Sequence, residues 1–354
     1  MFGTTEINGI SLDATGLVAL ADLSTIAQRT AIVGSASGFD ALVLAPGIHR
    51  HQTASEINGG EQPATAALTT GYVFRVENQA TVHFLRSIGV TGHLVTVKVQ
   101  KETNVGLNGI KSGKIKEFLM SRYCFKGGFF TSLLYMICPF LTIAAIIFLS
   151  CIGDWWGIGS LMALIVARLF NVIVIRQRSK AGWKGKSEPG VYGHLLVLIS
   201  QDRWIRINGL VDDLKKVTSG QWLKDTSSWQ SFLAAVATLI VYVTAAFSGN
   251  ATKFGSVTIL CLLLSSASLL GLSNKFRRTF HMHGCVLKVD GEPKWYERRL
   301  DLAKELIKEF ERSDWAIGLG MVRPDDVDGD GYMLKNKPED NEKAEKAKAR
   351  QIVL

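Results

Sequence analysis

The costliest residue in the sequence is Arg168. It is the one charge in the run from 155 to 175, "WWGIGSLMALIVARLFNVIVI", with Asn171 three positions on. An arginine at the centre of a membrane helix costs about 2.5–3.5 kcal/mol on insertion scales, so the position implies compensation. The basic cluster that begins at Arg176 is on the order of 10 Å away along a helix. Arg168 can therefore snorkel to the surface, or it pairs among the helices, or it meets an anionic ligand. A second set is His281, His283 and Cys285. Alternate residues of a strand share a face, so these three could converge on a metal. The plainer reading is cationic surface beside a membrane, and no metal is expected. His49 and His51 form another pair of the same spacing.

Asp212 and Asp213 are similar to the paired carboxylates that open the aspartate-rich motifs of prenyl-transferring and terpene-cyclising enzymes. Those sites need further carboxylates at helical spacing to hold magnesium and diphosphate. Here Leu214, Lys215 and Lys216 follow, which points to a solvated helix start. Arg168, Asp212 and Asp213 are thus the candidates for catalysis, and His281, His283 and Cys285 those for a metal. The run "DVDGDGYMLKNK" from Asp326 places Asp326, Asp328, Asp330 and Gly331 as a calcium loop would. Its twelfth position is Lys337, where a bidentate glutamate is required, so it reads as a turn. No nucleophile elbow, phosphate loop, dinucleotide fingerprint or paired-histidine zinc helix is present, and no cofactor is expected.

These residues hang on a chain of 354 residues that is 47% hydrophobic, and it is the distribution that gives the class. Residues 129–152, 230–248 and 254–273 are uncharged, and 155–175 carry Arg168 alone. A helix needs about 20 apolar residues to cross a hydrocarbon core of about 30 Å. The expected fold is a membrane α-helical protein of four helices in two antiparallel hairpins, 129–175 and 230–273. The hairpins are closed by Gly153-Asp154 and by "GNATK". Asn250 in the second turn opens a glycosylation sequon, with low occupancy expected so close to the helices.

Charge orients the bundle. Lys111, Lys114, Lys116, Arg122 and Lys126 precede the first helix. Arg176, Arg178, Lys180, Lys184 and Lys186 follow the second, and Lys275, Arg277 and Arg278 the fourth. The opposite face holds Lys253. The positive-inside rule puts both termini and the central segment in the cytosol. The net charge of +9 then marks contact between Lys/Arg and anionic lipid at the bilayer, not nucleic acid. The sequence shows no cleavable signal peptide.

Three β-rich cytosolic regions are expected, 1–128, 176–229 and 274–334, before a charged tail over 335–354. In the first, "DALVLAPGIH", "GYVFRVEN", "TVHFLRSI" and "HLVTVKVQ" read as strands. In the second, "HLLVLIS" and "RWIRING" flank Gln201-Asp202 as a hairpin, and "GLVDDLKKVTSG" reads as a short helix. In the third, "CVLKVD" is a strand, and residues 294–312 form an amphipathic helix with Trp295, Leu302, Leu306 and Phe310 on one face. The three regions are expected to pack as one unit beneath the membrane.

Residues 182–223, "GWKGKSEPGVYGHLLVLISQDRWIRINGLVDDLKKVTSGQWL", flanked by two hydrophobic pairs, resemble a segment that recurs in uncharacterised integral membrane proteins of filamentous fungi. The resemblance covers the central half of the chain. Some of those proteins look like accessory membrane proteins encoded beside secondary-metabolite enzymes. The resemblance implies a membrane location and a fungal source, with no assigned chemistry. An accessory or scaffolding protein is therefore the leading expectation. A membrane-embedded enzyme acting on a lipophilic intermediate, or a small transporter, is the alternative.

Overall fold

The computed structural model describes residues 25–45, 53–101, 129–180, 182, 184–277 and 279–327. His49, His51, Cys124, the basic residues from Lys111 to Lys126, most of the Asp326 loop and the tail lie outside them.

The helices are α1 (Thr25–Val33), α2 (Ala54–Ile57), α3 (Gln79–Ile88), α4 (Phe129–Ile152), α5 (Trp155–Arg178), α6 (Val211–Thr218), α7 (Ser228–Phe247), α8 (Lys253–Phe276), α9 (Arg299–Phe310) and α10 (Asp314–Gly318). The strands are β1 (Ala64–Ala67), β2 (Val73–Arg75), β3 (His93–Lys101), β4 (Tyr192–Ser200), β5 (Arg203–Leu210), β6 (Thr279–Met282), β7 (Cys285–Val289) and β8 (Lys294–Trp295).

Four helices, α4, α5, α7 and α8, are long and apolar enough to cross a membrane. They pair as α4 on α8 and α5 on α7. Each helix thus packs mainly against one from the other sequence pair.

The three polar regions share a single mixed sheet of eight strands in the order β2-β1-β4-β5-β3-β7-β6, with β8 beside β3. β3 and β5 run parallel, and the other pairings are antiparallel. Alternation along the strands gives each face its own core. Val95, Val97, Ile205 and Ile207 point to the side covered by α1, α3 and α6, where Phe84, Phe280 and Trp222 are buried. Leu94, Leu196 and Trp204 point to the other, under α9 and α10, with Leu302, Leu306 and Trp315. Val172 and Ile175 of α5 belong to the first core, so sheet and helical bundle are continuous.

Several expected strands take other forms. "TVHFLRSI" is α3. Asn78 caps it by accepting from the Thr81 N–H at 3.1 Å, and Ala80, Thr81, Phe84 and Leu85 recur at helical spacing on its buried side. "DALVLAPGIH" begins as a 3-10 turn over Gly38–Leu42. The helix expected over 294–312 starts only at Arg299, because Lys294 and Trp295 pair with β3, which leaves Trp295 exposed. The β4–β5 hairpin around Gln201-Asp202 forms as read.

Candidate functional site

Arg168 does not snorkel. It stands ten residues before the C-terminal end of α5, about 15 Å along the helix, and is 7% exposed. Its Nε donates at 3.1 Å to the main-chain oxygen of Asp40. Asp40 belongs to the 3-10 turn over Gly38–Leu42, which packs on both α5 and α4. Residues 37–44 therefore run into the bundle as a non-helical strap. Leu44 ends among Leu149, Leu161, Ile259 and Leu263.

Ser37 caps the turn. Its N–H and hydroxyl reach the Asp40 carboxylate at 2.6 and 3.1 Å, and the Tyr135 hydroxyl donates to the same carboxylate at 2.7 Å. Thr142 of α4 donates to the Leu42 carbonyl at 2.7 Å. Arg29 of α1 lies over the Tyr135 ring, 3.7 Å from its centroid, and donates to Ser273 at 3.4 Å. Both guanidiniums are buried, and among the described residues Arg168 Nη1 and Arg29 Nη2 have no acceptor.

The opposite end of the bundle is tied by Asp154, 4% exposed. One carboxylate oxygen accepts from the Gly157 N–H at 2.9 Å and caps α5. The other accepts from the N–H and hydroxyl of Thr252 at 3.0 and 2.8 Å, where α8 begins. Side chains at Gly157 and at Gly255 would both overlap this carboxylate, which is why α5 and α8 each carry a glycine in the first turn. Asn250 is exposed here, and Thr252, the hydroxyl residue of its sequon, is engaged by Asp154.

The weaker sequence candidates converge in part. His281, His283 and Cys285 do not share a strand face, because the chain reverses between β6 and β7. His283 and Gly284 occupy the turn at φ 48° and 74°, the left-handed pair that a two-residue hairpin demands. His281 and Cys285 are buried on the flanking strands. Among the described residues, no group of three histidines, cysteines or carboxylates is placed to hold a metal.

Asp213 is not a solvated helix start. It is 4% exposed, ion-paired to Lys216, and accepts from the Cys285 thiol at 3.5 Å. Burial first, and the Asp213 charge second, push that thiol up to about 12, so it stays protonated. Asp212 does face solvent. The Glu188 N–H and the Ser187 hydroxyl bond its carboxylate and hold it below the usual range.

Above this group lies a cleft of about 590 Å³, lined by Asn78, Lys184, Lys216, Lys224, Asp225 and His283 among others. The His283 imidazole is pushed down to about 4, by burial first and then by Lys184, Lys216 and Lys224.

No protein-family model, curated protein or solved structure matches the chain. The functional reading therefore rests on geometry.

Sequence reasoning missed the strap and the lysine cleft. The strap had one signal. The four long helices contain no carboxylate to face Arg168, so its partner had to come from outside them. The cleft had no such signal, because Lys184, Lys216 and Lys224 lie on a loop, a helix and a linker and only the fold brings them together.

Arg206 of the hairpin looks the other way. It forms a two-pronged ion pair with Glu309 at 2.9 and 2.6 Å and lies over Phe310, which fastens α9 to the sheet.

Proposed function

We propose that this chain is a multi-pass integral membrane protein in which α4 and α5, and α7 and α8, form two antiparallel hairpins. Its sheet unit and both termini lie on the cytosolic side, and it acts by holding partners at the lipid surface. The lysines and arginines at the sheet-side ends of the helices support this orientation. The observation that carries the binding role is the shared core. Val172 and Ile175 of α5 pack with Val97, Ile207 and Phe280 of the sheet unit. A unit buried against its anchor presents its outer surface in a fixed orientation to the bilayer, which suits a docking platform.

The enzyme alternative has less support at its best residue. Arg168 already serves the strap, and Asp213 serves Lys216 and Cys285. The fungal resemblance suggests that the partners are biosynthetic enzymes acting on lipophilic intermediates.

Deleting the protein from its host, with metabolite profiling and imaging of membrane-associated biosynthetic enzymes, tests the reading. Loss of enzyme localisation without one accumulating intermediate is expected. A single accumulating precursor with normal localisation would instead make the chain an enzyme. Orientation is tested on sealed membrane vesicles. Protease added outside cytosol-facing vesicles should cut around Lys308 and spare the turns at Asp154 and Asn250.

A further inference from the structure

We infer that the cleft between Lys184, Lys224 and His283 binds a phosphate-bearing anion at the level of the membrane surface. Its position comes first. The Lys224 main chain is bonded both ways to the end of α5, since its N–H donates to the Arg178 carbonyl at 3.1 Å and its carbonyl accepts from Arg178 Nε at 2.7 Å. A few residues on, Trp229 is 64% exposed and stacks on Phe232 at the start of α7, the placement an indole takes among headgroups. The cleft therefore opens beside the headgroup layer, if the bundle spans a bilayer as proposed.

Charge comes second. Lys216 is shared with Asp213, and Asp225 lies within electrostatic reach of Arg178. Among the described residues no ion pair joins Lys184 or Lys224 to a carboxylate, and both line the cleft, in which Asp225 is the one acidic lining residue. Lysines are point-charge donors suited to phosphate. Ser219 and Gln221 line the same cleft, and at about 590 Å³ it has the size of a small-molecule site.

Shape comes third. His283, which lines the cleft beside the lysines, sits at φ 48°, a left-handed backbone position in the tight β6–β7 turn that fixes where its side chain starts.

A lipid headgroup and a soluble phosphate ester share this chemistry. The probes are dioctanoyl phosphatidylinositol 4-phosphate and its free headgroup, inositol 1,4-bisphosphate, titrated against the detergent-purified full chain by native mass spectrometry. Dioctanoyl phosphatidylcholine is the blank. Replacing both Lys184 and Lys224 by Ala should weaken the phosphorylated probes about thirtyfold, taking each lysine's contribution as that of a basic residue near an anionic surface. The double variant Lys253→Ala with Lys308→Ala removes the same charge elsewhere and should leave binding unchanged.

Tighter binding of the lipid than of the headgroup assigns the site to a membrane lipid, and equal binding assigns it to a soluble phosphate. Either result supports the site. Wild-type protein that binds neither probe up to about 1 mM overturns it, as does a Lys184/Lys224 variant that binds like wild type. Retention in alkali-washed membranes is measured on the same preparations. A chain that stays in the membrane yet binds neither probe loses the site and keeps the membrane reading.

Discussion

Replacing Asp40 by Asn tests the strap most sharply. The Asp40 carboxylate accepts three hydrogen bonds, from the Ser37 N–H, the Ser37 hydroxyl and the Tyr135 hydroxyl, and it opposes the charge of Arg168. Asparagine has nearly the same shape. One of its terminal atoms is a donor, however, so the Tyr135 hydroxyl must turn from donor to acceptor to keep its bond, and the charge-assisted bonds become neutral ones. Arg168 also loses its counter-charge while its Nη1 is already without an acceptor. Arg168 touches the Asp40 main chain and not its carboxylate, so what is lost is an opposing charge acting through space, and leaving the buried guanidinium less compensated costs about 2–3 kcal/mol. For a chain of this size that is a fall of roughly 3–4 °C in melting midpoint. The assay is intrinsic tryptophan fluorescence during heating in detergent. The double variant Asp40→Asn with Arg168→Met removes the stranded charge but also the donor to the Asp40 carbonyl, so it should recover only part of the loss. An Asp40→Asn midpoint within about 1 °C of wild type refutes the argument, and so does a double variant that loses the sum of the two single effects.

Other consequences are read by the same melt. Asp154→Ala removes the cap of α5 and both contacts to Thr252, and should cost about 2–3 kcal/mol; a loss no larger than the ~1 kcal/mol of a simple cap would mean the two connections are not coupled through it. Gly34→Ala should destabilise by more than the ~1–2 kcal/mol of a left-handed backbone, since Gly34 sits at φ 75° and its new methyl would overlap the His281 carbonyl. Hydrogen exchange of residues 25–45 should rise first in that variant, and an unchanged profile would break the link between the strap and β6. His283 has a folded pKa of about 4 against an ordinary 6.5, so between these values the unfolded chain binds the proton. Its stabilising contribution is complete above pH 6.5 and is lost as pH falls toward 4. Burial first and Arg86 second give His83 the same window. His283→Asn, a residue the turn favours, should flatten part of the midpoint-versus-pH slope between 6.5 and 4, and an unaltered slope would contradict that assignment.

The four long helices were legible because length and missing charge suffice to mark a span, and α4, α5, α7 and α8 lie where the uncharged runs are. Their pairing was not legible. A short connection makes two helices neighbours at one end but says nothing about which faces meet, and α4 chose α8. The β4–β5 hairpin was readable from alternation about a two-residue gap. The same reasoning failed at "TVHFLRSI", where β-branched and aromatic residues hid a helical period that Asn78 starts. It failed again at His281, His283 and Cys285, where alternation was assumed to continue through a turn. There a residue followed by glycine between two apolar runs was the signal for reversal.

The strap explains why a bundle would keep an arginine at that depth. A 3-10 turn among long apolar helices leaves carbonyls that no water reaches, and irregular backbone is tolerated at such depth only when protein groups satisfy it. The Asp40 and Leu42 carbonyls are met by Arg168 of α5 and Thr142 of α4, one donor from each helix that the turn separates. The Asp40 side chain in turn opposes the guanidinium and closes the turn through Ser37. Arg168 is therefore first a donor to inserted backbone and only second a charge. At the strap's start, Gly34 is held by the Trp222 indole, which donates to its carbonyl at 3.1 Å, and it abuts β6. One segment of about ten residues thus links the sheet unit to the interior of the bundle. Substitutions that free it should loosen the fixed orientation on which a docking role depends before they unfold either part.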